Sequence, residues 1–420
     1  MDRPIVDNSI YSLSPSSITK EYLRQNISFW IFLLYLVFEY LRPQSMYPSI
    51  DVIPWTQTII ILLLIAIIAE GKFITTRNKA NVYIHIYLFV VIVSSVLAFS
   101  PAISFQNIRN FIVLYLVYFL TIYSIDRVDK YFLFILFYLL INFKLSLFTF
   151  QLWVSRGFDY DKYGATAGMA WLKNSGEFAI QMCIIFSISS YLLISLWESV
   201  NLPKKILLLL VPITCFGSVI ACGSRGGMLG LAVVIIVMFL WSKKKIWGVI
   251  MISLVVLSAP FLLAERDIER FQNIGSVYDT TGMNRLERWS KGIIMFKENP
   301  VFGVGFENWA EADWRMFNGT GAECHNIFIE CISELGLAGL VTFLMLLFYT
   351  FKNNRETREL SINDENRFVY NMAKSLDIAL IAYLVTGFFV TVLYYPYFWV
   401  NLGMTVALNT VAKKKYAESI

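Results

Sequence analysis

Long apolar runs dominate this chain, each close to bilayer-spanning length and each closed off by a short polar segment. A spanning helix needs about 20 mostly apolar residues, because in hydrocarbon only a helix or a closed barrel satisfies its own backbone. By that standard about twelve spans are predicted, over 27–41, 55–69, 82–99, 108–124, 131–153, 176–197, 205–221, 226–241, 246–264, 326–351, 375–394 and 397–411. Of the 420 residues, 57% are apolar, more than a soluble core of this size consumes. The sequence therefore predicts an all-α polytopic membrane protein.

Lysine and arginine fix the expected orientation, because basic residues are retained on the cytoplasmic side. Placing both termini inside puts Lys20 and Arg24, Arg127 and Lys130, Lys204 and Lys205, Lys243–Lys245, Arg355 and Arg358, and Lys413–Lys415 on that side. The short outer connections carry few basic residues. The resulting organisation is a cytoplasmic tail over 1–26, helices one to nine over 27–264, a large outer loop over 265–325, helices ten to twelve over 326–412, and a cytoplasmic tail over 413–420. No cleavable leader is expected, since no apolar stretch with a small-residue cleavage site precedes the first span. The net charge of +5 is scattered over the inner loops, so no nucleic-acid partner is implied. Cys183, Cys215 and Cys222 fall in spans, where cysteine acts as a small apolar residue. Cys324, His325 and Cys331 lack the spacing of a metal site, so neither a metal nor another cofactor is expected.

Within the outer loop, Leu286, Trp289, Ile293 and Phe296 recur at helical spacing from Asn284 to just before Pro300. This predicts an amphipathic helix lying on the membrane surface. Arg285 and Arg288 then share a neighbouring face at headgroup height. They serve either as lipid-phosphate contacts or as ligands for a bound phosphate. Gly303-Val304-Gly305, after Pro300, predicts a turn that folds the loop back.

Two further features lie on the same side. Cys222-Gly-Ser-Arg225-Gly-Gly forms the turn before the eighth span; taken alone it is a tight helix–helix turn with an interfacial arginine, and in the functional reading Arg225 offers a planar fork suited to phosphate oxygens. His325-Asn326 opens the tenth span, and histidine is the side chain whose ordinary pKa suits a base near neutrality. A helix cap is the competing reading of His325. His85, near the inner end of the third span, is read as structural. Lys144, inside the fifth span, is costly to bury and is a functional candidate without an assigned partner. Together Arg225, Arg285 and His325 describe a site for attacking a phosphate-activated lipid: arginines to hold the leaving diphosphate and a base for the incoming hydroxyl. No internal repeat is evident, which counts against a transporter or flippase built from two related halves.

These motifs resemble the O-antigen ligase and O-antigen polymerase superfamily of bacterial envelope glycan enzymes. The resemblance rests on Ser224-Arg225-Gly226, Arg285 before Trp289, Asn299-Pro300 with Gly303-Val304-Gly305, and His325-Asn326 followed by Glu334-Leu-Gly336-Leu-Ala-Gly339. It covers about 207–351 in detail and, in pattern only, Tyr40-Leu-Arg42-Pro43-Gln44. The resemblance implies a metal-independent, inverting glycosyltransferase of the bacterial inner membrane, with the large loop periplasmic. The donor would be a glycan on undecaprenyl diphosphate, and the acceptor lipid A–core, another glycan or a protein. In that picture Arg225 and Arg285 hold the diphosphate, Arg288 is a weaker assignment, and His325 is the catalytic base. A ligase and a polymerase share this site and differ only in acceptor.

Overall fold

In the computed structural model the described residues are 8–71, 78–159, 164–167, 172–242, 280–364 and 367–416. The span expected at 246–264 and the first part of the outer loop lie outside them. Among the described residues the chain is helical and contains no strand. In order the helices are α1 (Pro15–Leu23), α2 (Ile27–Leu36, continued by a π-helical turn Val37–Leu41), α3 (Pro43–Met46), α4 (Trp55–Ala69), α5 (Lys79–Val96), α6 (Pro101–Ser124), α7 (Val128–Ser155) and α8 (Ser175–Leu196). They continue with α9 (Leu202–Ala221), α10 (Arg225–Trp241), α11 (Thr280–Glu298), α12 (Trp309–Phe317), α13 (Ile327–Leu360), α14 (Phe368–Gly387) and α15 (Pro396–Tyr416). Of these, α5, α6, α7, α8, α9, α13 and α14 are long and apolar enough to cross a membrane. Three shorter apolar helices, Ile27–Leu41, Trp55–Ala69 and Arg225–Trp241, accompany them. The chain is a polytopic, all-α membrane protein.

The starts of these helices follow from local chemistry. The side chains of Asn78, Asn174, Asn201, Ser224 and Asn326 each accept a backbone N–H from the first turn of the following helix. Each such cap is worth about 1 kcal/mol. Proline opens α6 and α15, where its missing N–H costs nothing. Helices α8, α14 and α15 form the centre of the bundle, with Phe178, Ile185, Leu380, Tyr383, Trp399 and Leu408 almost wholly buried. Helix α10 lies close against this centre because a Cβ at Gly227 would meet the Ala179 methyl at 2.4 Å, and one at Gly230 the Thr386 methyl at 2.2 Å. Small residues allow such backbone approach between membrane helices.

A polar network holds the end of the bundle opposite the loop. Asn78 donates to Asn353 Oδ1 at 3.1 Å, and Asn409 donates to the Asn353 carbonyl at 3.2 Å, tying α5, α13 and α15. Arg358 pairs with Asp377, joining α13 to α14, and lies over the Trp241 ring at 5.6 Å.

The feature that shapes the loop end is a break in α13. Gly336 has φ 65° and ψ −162°, so the helix is interrupted inside an apolar stretch. The stranded backbone groups are met by residues 300–305: Val304 N–H donates to Ser333 O at 2.9 Å and Gly305 N–H to Glu334 O at 3.1 Å. From the other side Leu337 N–H donates to Pro300 O at 2.9 Å and Ala338 N–H to Val301 O at 3.1 Å. A helix broken within a membrane is tolerated only where protein supplies such partners. The expected turn at Gly303-Val304-Gly305 is therefore a backbone splint for α13. It is tied onward to α6 and the connection before it through Phe99 N–H to Val304 O at 2.9 Å and Ser104 Oγ to Phe306 O at 2.6 Å.

Candidate functional site

Helix α11 carries the two loop arginines, and part of its apolar face packs on protein. Trp289, Gly292 and Met295 turn toward the protein: a Cβ at Gly292 would meet Ile329 at 2.4 Å and Trp309 at 2.9 Å, and Met295 is fully buried. Leu286 is 56% and Ile293 37% exposed, with Met283 and Ile294 beside them. The single apolar face read from the spacing is thus divided: one half packs on protein and the other remains an outer apolar stripe. Arg285 and Arg288 lie with the inward half. The guanidinium of Arg285 is 5.7 Å from the Phe389 ring centroid, and Arg288 Nη1 donates to the Glu323 carbonyl at 3.0 Å.

That contact belongs to a strap, residues 322–326, whose carbonyls are bound in succession by side chains. Trp309 Nε1 donates to Ala322 O, Arg288 to Glu323 O and Trp289 Nε1 to Cys324 O, each at 3.0 Å. His325 follows in the left-handed region, with φ 53°. For a non-glycine residue this costs about 1–3 kcal/mol and persists only where surroundings over-determine it. Here they do: the His325 N–H donates to Thr391 Oγ1 at 2.9 Å, and Asn326 caps α13 by accepting from Phe328 N and Ile329 N. The cap that competed with a catalytic reading of His325 is made by its neighbour.

The imidazole is partly buried, with 31% of the side chain exposed, and its Nδ1 is 3.9 Å from Glu323 Oε2. Burial is the largest influence on its titration, followed by Arg285 and Arg288; together they lower its pKa to about 4. The ring is therefore neutral near pH 7 and able to accept a proton. The Cys324 thiol, Sγ to Asn326 O at 3.4 Å, is pushed well up by burial and stays protonated.

Arg225 is the first residue of α10, half-buried, after the left-handed Gly223. The adjacent Gly226 lies against Phe389, 3.2 Å from a Cβ built on the glycine to the phenylalanine Cβ. Residues 388–391, between α14 and α15, are the hub that sequence reasoning missed. Phe388 packs edge-on against Trp289 at 5.1 Å, Phe389 meets both Arg285 and the start of α10, Val390 lies against Gly176 at the start of α8, and Thr391 holds His325. The N-terminal ends of α8, α10 and α13 thus converge on four residues. Helix N-termini carry partial positive charge and exposed N–H groups, and with arginines beside them they suit an anion. Arg285 and Arg288 act together on His325 beside this hub, and Arg225 opens the helix whose next residue, Gly226, packs against it.

Glu334, quoted above only as part of a motif, is a brace. Its carboxylate accepts Glu307 N–H at 3.1 Å, Trp309 N–H at 2.9 Å and Tyr394 Oη–H at 2.9 Å. One turn earlier Glu330 accepts Leu393 N–H at 3.3 Å. In the same region Lys291 bridges Glu287 at 3.2 Å and Asp313 at 3.0 Å, and the Asp313 hydrogen bond raises its pKa. His85 bonds Tyr115 at 2.7 Å and stacks on Phe119, in keeping with a structural role. Lys144 lies exposed on α7, its ammonium 3.9 Å from Met46 Sδ.

Comparison with known proteins places this site in context. Residues 209–344, which hold Arg225, Arg285, Arg288, His325 and the Gly336 break, match the family model described as O-antigen ligase. An uncharacterized protein of Haemophilus influenzae is 28% identical over 171 residues, 33% of this chain and 43% of that protein. The exopolysaccharide production protein ExoQ of Rhizobium meliloti is 35% identical over 83 residues, 17% of this chain and 19% of ExoQ. The matches thus span less than half the length of these curated relatives. The family match supports the resemblance read from the motifs, and over residues 209–344 this chain is similar to the O-antigen ligase family.

Proposed function

We propose that this protein is a glycosyltransferase that moves a glycan from undecaprenyl diphosphate to an acceptor hydroxyl at the outer face of the bacterial inner membrane. The observation that carries the reading is a neutral, strained and firmly held His325 beside Arg285 and Arg288, within the ligase-like segment. His325 takes the acceptor proton as the hydroxyl oxygen attacks the anomeric carbon from the face opposite the diphosphate, so configuration inverts. The bond from that carbon to the diphosphate oxygen breaks, and the leaving group keeps the electron pair. Arg285, Arg288 and Arg225, with the helix N-termini of α8, α10 and α13, offset the charge that develops on it. No step in this scheme calls for a metal. The acceptor is lipid A–core in a ligase, or a protein serine in a related variant of that reaction.

The similarity to an exopolysaccharide production protein favours a second acceptor, the end of another lipid-linked glycan, which makes the protein a polymerase. One measurement separates the two: the length of glycan left on undecaprenyl diphosphate after deletion of the gene. Long polymer stranded on the carrier identifies the ligase, and single repeats identify the polymerase. An unchanged profile would overturn both and return attention to transport.

A further inference from the structure

The geometry at the strap points to Glu323 as the positioning residue of His325: when substrate binds, its carboxylate closes from 3.9 Å to accept the Nδ1–H hydrogen bond, which leaves Nε2 as the basic nitrogen. The inference rests on the reading of His325 as the base. A neutral imidazole exists as two tautomers, and the one present is set by the hydrogen bond that the other nitrogen makes. A base that works through Nε2 must carry its proton on Nδ1. In this structure the atom that faces Nδ1 is Glu323 Oε2, 3.9 Å away.

The separation is longer than a hydrogen bond, and three features make it a closing distance. The Glu323 main chain is fixed, because Arg288 holds its carbonyl at 3.0 Å and the carbonyls on either side are held by Trp309 and Trp289. The imidazole main chain is fixed by Thr391. The carboxylate itself is 63% exposed, so only its own torsions stand between the present position and a contact of about 2.8 Å. Catalytic hydrogen bonds are often long in the free enzyme and tighten when substrate binds.

There is also an electrostatic reason for a carboxylate here. Arg285 and Arg288 both disfavour the imidazolium that base action creates. During transfer the acceptor hydroxyl proton moves to Nε2 while the new carbon–oxygen bond forms and the bond to diphosphate breaks. The Nδ1 proton stays on the ring, held by the Glu323 carboxylate, which sits on the far side of the ring from the reacting atoms. Glu323 acts through His325 and does not touch the reacting atoms.

The test uses the full chain, labelled with 15N-histidine, in liposomes at pH 7 with undecaprenyl diphosphate added. The sequence has only two histidines, His85 and His325, so the His325 signals are those lost in His325→Asn. The expected result is a protonated Nδ1 and an unprotonated Nε2. Glu323→Ala moves the proton to Nε2 and lowers kcat by about 10²-fold, the lower end of general-base contributions, with KM for the lipid-linked donor unchanged. Glu323→Gln keeps an acceptor oxygen and retains the Nδ1–H tautomer, with kcat between the two. A wild-type ring protonated on Nε2, or a tautomer unaltered by Glu323→Ala, would overturn the inference even if His325→Asn is inactive. If His325→Asn transfers glycan at the wild-type rate, the base reading fails and the catalytic role of Glu323 fails with it.

Discussion

A proton on the ring of His325 meets two guanidiniums and a partly buried site, and both effects act against it. The free enzyme should therefore keep its kcat/KM down to acidic pH and lose it only near pH 4, instead of near the usual 6.5. Once the donor is bound, its diphosphate cancels part of the arginine field, so the acid limb of kcat should fall at higher pH than that of kcat/KM. Coincident limbs would argue against arginine–diphosphate contact. The same depressed pKa has a stability counterpart with a definite sign. The unfolded chain takes up this proton first, so the contribution is complete above about 6.5 and is lost as pH falls from there toward 4. Arg285→Ala should reduce kcat by about 10²–10³-fold, the scale for losing one charge-stabilising donor, and should raise the His325 pKa, which the pH profile of residual activity reads. His325 and Arg285 were legible in the sequence because each sits in a short motif whose chemistry shows in its residue types. Glu323 and Thr391 were not: neither residue type announces a partner, and Thr391 lies 66 residues from the N–H it holds.

At the scale of elements, legibility followed periodicity and stopped where periodicity is silent. The spacing of Leu286, Trp289, Ile293 and Phe296 marked α11 as a helix, yet apolarity alone does not tell a protein-facing side from a lipid-facing one. Gly292 does, because only a residue without a side chain fits against Trp309 and Ile329. The break in α13 was invisible for a related reason: Leu335-Gly-Leu-Ala-Gly339 reads as uninterrupted apolar span. Gly336 combines a φ of 65° with a Cβ position 2.4 Å from the Val301 carbonyl carbon. Gly336→Ala should therefore cost about 2–5 kcal/mol, from the backbone conformation and from overpacking against main chain. The expected readout is a lower melting temperature in detergent together with loss of transfer activity. An active variant of unchanged stability would show that residues 300–305 do not splint the helix.

Across the whole molecule, the two ends of the bundle carry different duties. The end opposite the loop is cross-linked by Asn78, Asn353 and Asn409 and by the Arg358–Asp377 pair. Asp377→Asn would leave Arg358 largely buried beside Trp241 without its counter-charge, for a loss of about 2–4 kcal/mol. The remaining folded protein should keep the wild-type pH profile, since nothing at the His325 strap has changed. A displaced acid limb would instead mean that the ends are coupled. The alternation of apolar runs and basic connections made the membrane bundle readable at this scale, whereas the convergence of α8, α10 and α13 on residues 388–391 depends on tertiary packing that no local pattern encodes. The splint at Gly336 also sets a rule of inheritance for the chain. Residues 300–305 and 333–338 exchange backbone hydrogen bonds in both directions, so they descend as one unit. A chimera that takes one segment from a relative without the other strands those groups in an apolar setting, and an insertion in either must be answered by a change in its partner.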